Sequence, residues 1–477
     1  MKTKRIFLWL FLIALSFSVL SCEKDSGPGE TPSDGDQLPA LTDSEILKLV
    51  PHTPNTAFYK DIFLDGGCEL NPGIKENGVV INGRLPYALE KAQIKTAEYF
   101  LATVNDVANG YTESDLALQT RIIGGTTEDV NGVLLYPDGE PRYRLFYSFG
   151  GHSGSHGNTM GTNGREHVHT FYSNGGSFVG SCAGAYLAGK YASGKLSSYY
   201  NIWEGGNMKG TGVGNSSIEI RIETNIFYDH YYGPAYQALV TDVRHNGGGY
   251  MDVNQAPVGT EVLGRFYNQK GKNSSSAGFY GQPGIWAYKA SDNSGRLVVT
   301  GSHPEDAASG PILDMTASMF RYAWDGVGDA KVKGVLKNGE WVYMTKKTTD
   351  NRPERTMIGD LQCHHFVLYL REDVPSLELA LKNEGGCECN LELYLKKDDF
   401  AFPEASPEYS SVVPGGAQSI VTSPLEKGMW FVAVRCASTV TATDTVIDKA
   451  KSLGHYFVYS GNIDLLNGVP YSLVAKW

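Results

Sequence analysis

The sequence has no excess of positive charge. Its 41 Lys and Arg residues are outnumbered by 52 Asp and Glu residues, which gives a formal net charge of −11. Because nucleic-acid binding needs clustered Lys and Arg to neutralise phosphates, this balance argues against a nucleic-acid partner. The hydrophobic share of 41% and the charged share of 19% are ordinary for a soluble globular protein. With 477 residues, the chain has room for two or three domains and a large core.

Two common ligand-binding patterns are also missing. The glycine-rich stretch Phe149–Gly157 is not followed by the Gly-Lys-Ser/Thr that a phosphate-binding P-loop requires. No cysteine or carboxylate cluster completes a zinc site around the nearby histidines. Two of them, His167 and His169, fall in a predicted helix, Arg165–Asn174, where residues two apart do not share a face. We therefore expect neither a metal nor a cofactor. The histidines of this region are His152, His156, His167 and His169.

The apolar run near the N-terminus is too short to span a bilayer comfortably. Ile6–Val19 follows the basic start Met-Lys-Thr-Lys-Arg5 and precedes Leu-Ser-Cys22, which resembles a bacterial lipoprotein signal. We expect residues 1–21 to be the signal peptide and Cys22 to carry a lipid anchor; the alternative is a plain secretory signal. Residues 22–41 are rich in Gly, Ser, Pro, Asp and Glu, which predicts a flexible tether. The expected location is the bacterial cell envelope, at the outer membrane, on its periplasmic or surface face.

A cysteine between two glycines is the first indication of chemistry. Ser177–Val179 is predicted to end a buried strand and Ala185–Lys190 to begin a helix, with Gly180-Ser-Cys182-Ala-Gly184 between them. A nucleophile on a sharp strand-to-helix turn needs these glycines, because bulk at either position would clash as the turn tightens. Such a turn exposes the sulfur and aims the first helical N–H groups at it, which favours the thiolate. The alternative is a buried structural cysteine beside two incidental glycines.

A second motif supplies partners for this cysteine. The apolar strand Arg296–Thr300 runs into Gly301-Ser-His303-Pro-Glu305. A residue before proline is pushed into extended geometry, and side chains two apart in extended chain share a side. We therefore expect His303 and Glu305 to face one crevice at the carboxyl end of the strand. A cysteine nucleophile needs a base, and the base needs a group to orient it; Cys182, His303 and Glu305 fill these roles in that order.

Together these motifs resemble the class I glutamine amidotransferase-like superfamily, and most nearly the amidotransferase-like domain at the N-terminus of some biotin-protein ligases. The resemblance covers roughly residues 57–325 and includes Asn246-Gly-Gly-Gly-Tyr250. It implies a flavodoxin-like, doubly wound, mostly parallel α/β sheet that carries a Cys-His-Glu triad. One position departs from the family, since amidotransferases usually carry glutamine where this chain has Tyr186. No synthase domain follows to use ammonia. Amide or ester chemistry is therefore expected on a substrate other than glutamine.

The glycine-rich loop that follows the strand Tyr143–Ser148 is expected to lie beside the cysteine. Such a loop at the carboxyl edge of a sheet points backbone N–H groups at an anionic oxygen. Related folds use the residue after the nucleophile together with a second loop. We accordingly predict that the N–H groups of Gly151 and Ala183 form an oxyanion hole; the alternative is a flexible surface loop. His152 and Tyr186 are predicted to contact substrate.

Strands alternate with helices through residues 42–328, which predicts an α/β domain with a parallel, doubly wound sheet. The apolar spacing within Leu85–Val104 is typical of a crossover helix, and Ile312–Trp324 is predicted to close the domain. The first strands of this domain are predicted at Ala57–Leu64, Arg121–Gly124 and Tyr143–Ser148.

Residues 329–477 have a different texture, with short strands separated by turn signals, which predicts an all-β sandwich domain. Leu391–Leu395 and Gly428–Val434 resemble the bacterial pre-peptidase C-terminal domain, a module common on secreted hydrolases. This resemblance implies secretion and an accessory role. The cysteines of this region, whose even number allows two disulfides in an oxidising compartment, are Cys363, Cys387, Cys389 and Cys436.

Two functions remain open from the sequence. The first is an extracytoplasmic cysteine hydrolase, amidase or acyl-transferase acting on an amide-type bond of a small-molecule or peptide-like substrate. The second is a catalytically silent surface protein that binds a ligand in the same crevice; Tyr186 and the aromatic share of 11% leave room for it. A catalytic Cys182 should react with iodoacetamide near neutral pH much faster than a free thiol of pKa about 8.5. The membrane is an expected partner through the lipid anchor, and the oligomeric state is not indicated.

Overall fold

A computed structural model of the chain places Leu38–Trp477 in one compact unit. The predicted signal peptide, Cys22, most of the tether and the strand predicted at Arg121–Gly124 lie outside the described residues. No helix in the described part is long and apolar enough to cross a membrane. The structure describes residues 37–65, 75–76, 79–80, 85–95, 97–100, 130–191, 198–223, 227, 239–270, 278–348, 352–386, 388–448 and 453–477.

The described residues contain five α-helices. A capping box begins the first, because Thr42 accepts from the Glu45 N–H and the Glu45 carboxylate accepts from the Thr42 N–H. The third helix is kinked at Gly161, whose φ is 64° and ψ is −179°. In chain order the helices are α1 Asp43–Leu47, α2 Leu85–Lys91, α3 Ser153–Ser173, α4 Ala183–Ala188 and α5 Gly310–Trp324.

An eleven-stranded sheet dominates the described part of the chain. Across the sheet, its strands are β10 Leu239–His245, β9 Ser216–Ile222, β12 Glu261–Lys270, β13 Pro283–Lys289, β14 Arg296–Thr300, β6 Ser177–Ser181, β5 Tyr143–Ser148, β1 Lys60–Asp65, β4 Ala97–Phe100, β24 Leu453–Ser460 and β23 Thr441–Asp448. The neighbours β14, β6, β5, β1 and β4 pair in parallel, and the remaining pairs are antiparallel. The sheet is therefore mixed, and the expectation of a mostly parallel sheet holds for its centre alone.

Helices cover both faces of this parallel centre. Leu145 and Tyr147 of β5 join an apolar cluster with residues of α2 and α5, whereas Phe146 joins a second cluster with residues of α3 and α4. Successive strand residues point to opposite faces, so a strand buried on both sides is mostly apolar. Helices on both faces of the parallel centre agree with the α/β part of the prediction, whereas the doubly wound fold as a whole stays a prediction.

Two further sheets bury their inner faces in a common apolar cluster. The first consists of β15 Val332–Val335, β17 Cys363–Leu370, β22 Gly428–Cys436, β19 Leu391–Lys397 and β20 Tyr409–Ser411. The second consists of β16 Trp341–Met344, β25 Tyr471–Lys476, β18 Glu378–Asn383 and β21 Gln418–Val421. The smaller sheets are β7 Lys190–Tyr191 with β8 Asn207–Gly210 and β11 Gly249–Met251, and β2 Lys75–Glu76 with β3 Val79–Val80.

The two C-terminal sheets consist of short strands, as the sequence texture of residues 329–477 predicts. The strands β23 and β24 from the same part of the sequence pair with each other and join the edge of the large sheet through β4. The sequence pattern does not indicate this placement. The domain boundary placed at residues 328/329 stays a prediction.

The crossover helix predicted over Leu85–Val104 is wrong for residues 92–95 and 97–100; residues 96 and 101–104 lie outside the described residues. Gln93 takes a left-handed φ of 60° and ends the helical region, and Ala97–Phe100 pairs with β1 as a strand. The physical reason is Glu98, a buried carboxylate in this segment that accepts hydrogen bonds of 2.5 Å from three tyrosine hydroxyl groups. A helical pattern drawn from apolar residues alone ignores such a buried charge.

The expectation of two disulfides in the C-terminal region is wrong for Cys363. This residue is a free thiol, 6% exposed, and burial raises its pKa to about 12. A thiol that stays protonated in an apolar interior is typical of an inert structural cysteine.

Candidate active site

Cys182 lies on a strained turn between β6 and α4. Its φ of 47° and ψ of −101° are unusual for a residue with a side chain. The Cys182 N–H donates to the Thr300 carbonyl at 2.9 Å, which fixes the turn to the end of the neighbouring strand β14. This is the strand-turn-helix geometry that the sequence predicts for a nucleophile.

Both flanking glycines are required by space, as predicted. A β-carbon at Gly180 would lie 2.7 Å from the carbonyl carbon of Gly184, across the turn. A β-carbon at Gly184 would lie 2.1 Å from the backbone oxygen of Ser148, at the end of β5. Since real β-carbons essentially never approach so closely, the tight turn exists because these positions carry no side chain.

His303 and Glu305 meet, but through a different backbone from the one predicted. Pro304–Asp306 forms a 3₁₀ turn rather than extended chain, and His303 precedes it with φ −120° and ψ 66°. The proline fits at the first position of the turn, where its missing N–H has no partner to lose. His303 Nδ1 then lies 3.2 Å from Glu305 Oε1. The Glu305 side chain is 3% exposed.

The His303 imidazole also lies beside Cys182. Its Nδ1 faces the Glu305 carboxylate, and the Cys182 side chain is close enough to raise the pKa of the ring. Gly150 lies against both groups, since a β-carbon there would be 2.2 Å from His303 Cε1 and 3.4 Å from Cys182 Cβ. With Nδ1 directed at the carboxylate, the other ring nitrogen is the one available to the sulfur.

Electrostatics favour the charged form of His303. Burial lowers its pKa, but the neighbouring Glu305 and Cys182 side chains outweigh burial and raise the pKa to about 10. The imidazole is therefore protonated at neutral pH. A cation beside a cysteine is the environment in which thiolates form.

The Asn246–Gly249 loop approaches the cysteine from another part of the chain. Cys182 Sγ lies 3.6 Å from the Asn246 carbonyl oxygen, a distance at which the protonated thiol could donate a hydrogen bond. A β-carbon at Gly248 would lie 1.7 Å from the Gly301 oxygen, so the glycines permit close packing of this loop on the histidine loop. In this arrangement Cys182 is 5% exposed.

Of the two residues predicted to supply oxyanion N–H groups, Ala183 belongs to the cysteine turn and Gly151 to the glycine-rich loop. Gly184 N–H donates to the Phe149 carbonyl at 3.1 Å, which ties α4 to the glycine-rich loop. Ala183 directly follows the cysteine and is buried, whereas Gly151 is exposed and has a left-handed φ of 134°. The loop is shorter than predicted, because helix α3 begins at Ser153.

The two residues predicted to contact substrate, His152 and Tyr186, lie in different parts of the structure. His152 is exposed in the glycine-rich loop, and its carbonyl accepts from the His156 N–H at 3.1 Å. The Tyr186 hydroxyl lies beside β8 and β11, where a β-carbon at Gly249 would come within 2.6 Å of it. A contact of either residue with substrate stays a prediction.

His245 is a neighbour of the site that sequence reasoning missed. Its Nε2 lies 2.7 Å from Thr211 Oγ1 and its Nδ1 lies 3.2 Å from Ser302 Oγ. Burial, with a smaller contribution from the charge of His303, lowers the pKa of His245 to about 4. This neutral imidazole joins the Thr211 segment to the histidine loop. The sequence feature that could have identified it is its position directly before Asn246-Gly-Gly-Gly249.

Within the described residues, no group of three or more His, Cys, Asp or Glu side chains is arranged to hold a metal ion. The histidines of the glycine-rich region are separated instead. His156 Nε2 lies 2.7 Å from Asp65 Oδ2 and 2.8 Å from the Tyr200 hydroxyl, and His169 Nδ1 lies 3.3 Å from the Tyr200 carbonyl.

A Gly150→Ala variant is expected to lower the rate of Cys182 alkylation by iodoacetamide at pH 7 at least about tenfold, since one pKa unit corresponds to a factor of ten. The added methyl group would overlap the His303 ring and displace it from the sulfur. Gly154→Ala is the matched control, because its β-carbon would lie at an ordinary 3.5 Å from His152. Rates are measured by peptide mass spectrometry. Equal rates for the wild type and Gly150→Ala would show that the imidazole position has no influence on the thiol.

No protein-family model and no curated protein matches this chain. Among solved structures, it is similar to a glutamine amidotransferase at 14% identity and a TM-score of 0.28, over 38% of this chain and 80% of that chain. It is similar to a GMP synthase subunit from Thermoplasma acidophilum at 10% identity and a TM-score of 0.28, over 55% of this chain and 92% of that chain. A pre-peptidase C-terminal domain of collagenase from Bacillus anthracis is similar at 10% identity and a TM-score of 0.18, over 30% of this chain and 92% of that chain. These likenesses are weak, and the function of the chain is therefore inferred from its own geometry.

Proposed function

We propose that this protein is a cysteine-dependent hydrolase or acyl-transferase that acts on an amide-type bond. In this proposal Cys182 is the nucleophile, His303 the proton carrier and Glu305 the group that orients the imidazole. The observation that carries the proposal is the position of His303, whose ring lies beside Cys182 against Gly150 and whose Nδ1 lies 3.2 Å from Glu305 Oε1. A buried structural cysteine would not need a charged imidazole held against it.

The reaction would proceed in two halves. The Cys182 thiolate attacks the carbonyl carbon and forms a tetrahedral intermediate, whose oxygen accepts from the N–H groups of Gly151 and Ala183. The intermediate collapses as the C–N bond breaks and the His303 imidazolium gives its proton to the leaving amine. Water, or another acceptor for acyl transfer, then attacks the thioester, loses a proton to His303 and releases the thiolate.

The proposed setting is the bacterial cell envelope, with Cys22 lipidated and the C-terminal sheets serving as an accessory module. The substrate is a small molecule or peptide-like amide other than glutamine, because Tyr186 stands where amidotransferases usually carry glutamine. A relation to the amidotransferase-like domain of biotin-protein ligases belongs to the same proposal.

The test is turnover by the full chain on a panel of amides, comprising glutamine, N-acyl amino acids, short peptides and glycan amides. Release of ammonia or amine is expected for at least one of the last three classes, and Cys182→Ala should abolish it because no thioester can form. Cys363→Ala is the matched control, since Cys363 is a free buried thiol in β17. Full turnover by Cys182→Ala would end the proposal.

The second candidate is a ligand-binding protein without turnover. The observation that favours it is the enclosure of Cys182, which is 5% exposed and directs its thiol at the Asn246 carbonyl. Slow, ordinary alkylation of Cys182 by iodoacetamide together with specific retention of one amide ligand would favour this function over the first.

A further inference from the structure

Glu305 is held by more than the histidine it faces. Its Oε1 lies 3.2 Å from His303 Nδ1 and accepts a hydrogen bond of 3.0 Å from Ser181 Oγ. Within the described residues its other oxygen, Oε2, is buried and has no hydrogen-bond partner. The orientation of the carboxylate therefore depends on two donors that converge on one oxygen.

A tyrosine hydroxyl completes the chain of donors. The Tyr147 hydroxyl lies 2.9 Å from Ser181 Oγ. Because a serine has a single hydroxyl proton and Ser181 gives it to Glu305, Tyr147 must be the donor in this second contact. Burial and the nearby Glu305 carboxylate raise the pKa of Tyr147, so its hydroxyl keeps that proton. Both side chains are 2% exposed.

The fold aligns these groups across the sheet. Tyr147 comes from β5, Ser181 from the end of β6, and Glu305 from the turn that follows β14. These three strands are neighbours in that order and run in parallel, so their carboxyl ends meet at one edge. Ser181 also directly precedes Cys182, which links the strained turn to the carboxylate.

We infer that Ser181 and Tyr147 are positioning residues, which fix the Glu305 carboxylate and through it the His303 imidazole. The inference rests on the proposed function of the same site. Charge-assisted hydrogen bonds are roughly twice as strong as neutral ones, and a donor chain polarises each of its members. Without the Ser181 hydroxyl, His303 would be the remaining donor to the carboxylate among the described residues.

The experiment compares alkylation of Cys182 by iodoacetamide from pH 5 to pH 9 in full-length wild type, Ser181→Ala and Tyr147→Phe. Ser181→Ala is expected to lower the rate at pH 6 about tenfold, the factor for one pKa unit, and to move the pH midpoint upward. Tyr147→Phe should also lower the rate at pH 6 and raise the pH midpoint, but by smaller amounts. Tyr147→Phe keeps the ring contacts with Phe149 and Phe320, so it tests the inference even where Ser181→Ala does not fold.

A double-mutant cycle separates positioning from general stability. In a Glu305→Gln background, Ser181→Ala is expected to have no further effect on the rate, because its action passes through the carboxylate. Ser294→Ala is the matched control, since Ser294 is equally buried and donates to the Ser291 carbonyl. An equal loss in both backgrounds would overturn the inference.

The outcomes also distinguish the two proposals. A wild-type Cys182 that reacts like an ordinary thiol overturns the proposed function and this inference together. A highly reactive wild type whose pH profile is unchanged in Ser181→Ala and Tyr147→Phe overturns the inference alone.

Discussion

Replacing Arg142 with methionine is expected to lower the free energy of unfolding by about 3–5 kcal/mol, because it leaves the partner carboxylate buried and unpaired. Arg142 Nε and Nη2 donate to the two oxygens of Asp360 at 2.9 and 2.7 Å, and both residues are almost fully buried. The guanidinium carbon also lies 3.6 Å from the centre of the Tyr59 ring. In the variant, Asp360 would retain the Thr439 hydroxyl at 3.0 Å.

This pair joins the large sheet to the C-terminal sheets, since Arg142 precedes β5 and Asp360 precedes β17. The measurement is urea unfolding of the wild type and the variant. Arg352→Met is the matched control, because its ion pair with Glu354 is exposed on both sides, and it should leave stability almost unchanged. A double Arg142→Met, Asp360→Leu variant should regain much of the loss. A loss for Arg142→Met no larger than that of the control would contradict this account.

A His303→Gln variant is expected to lower the alkylation rate of Cys182 at pH 7 about 30-fold. In the proposed site the His303 imidazolium lies beside the sulfur, and a cation beside a cysteine is the environment in which thiolates form. An ordinary cysteine of pKa about 8.5 is about 3% thiolate at pH 7. Glutamine keeps hydrogen-bonding capacity but cannot carry the charge. Peptide mass spectrometry separates Cys182 from the other cysteines.

His52→Gln is the control for this substitution, because His52 is exposed and pairs with Asp329 far along the chain from the site motifs. The His303→Gln variant should also change how the stability of the protein depends on pH. The folded pKa of His303, about 10, exceeds the ordinary value of 6.5, so its stabilising contribution is complete below pH 6.5 and is lost as pH rises towards 10. His303→Gln should lack this loss. An unchanged alkylation rate would contradict the role assigned to His303.

The elements that carry the candidate site were predictable because steric rules determine them. Glycines two residues either side of Cys182 allow one tight turn, and a strand that ends in Gly-Ser-His-Pro-Glu places its histidine at the sheet edge. In each case a local rule acts over a few residues.

The parts that were missed depend on partners distant in sequence. Ser181 and Tyr147 carry no pattern that relates them to Glu305, since a buried hydroxyl finds its partner through sheet order. Glu98 breaks the helical pattern of its segment because three tyrosines from elsewhere in the chain accommodate its charge. Likewise, nothing in Thr441–Ser460 distinguishes a hairpin of the C-terminal sheets from one that extends the large sheet.

The central claim is that Cys182 is a thiol activated by His303. The most direct test is the pH dependence of wild-type Cys182 alkylation by iodoacetamide. The claim predicts a rate at pH 6 within about twofold of the rate at pH 8, because an ion-paired thiolate persists across this range. A rate that rises about 75-fold between pH 6 and pH 8, as it does for an ordinary thiol of pKa about 8.5, would contradict it.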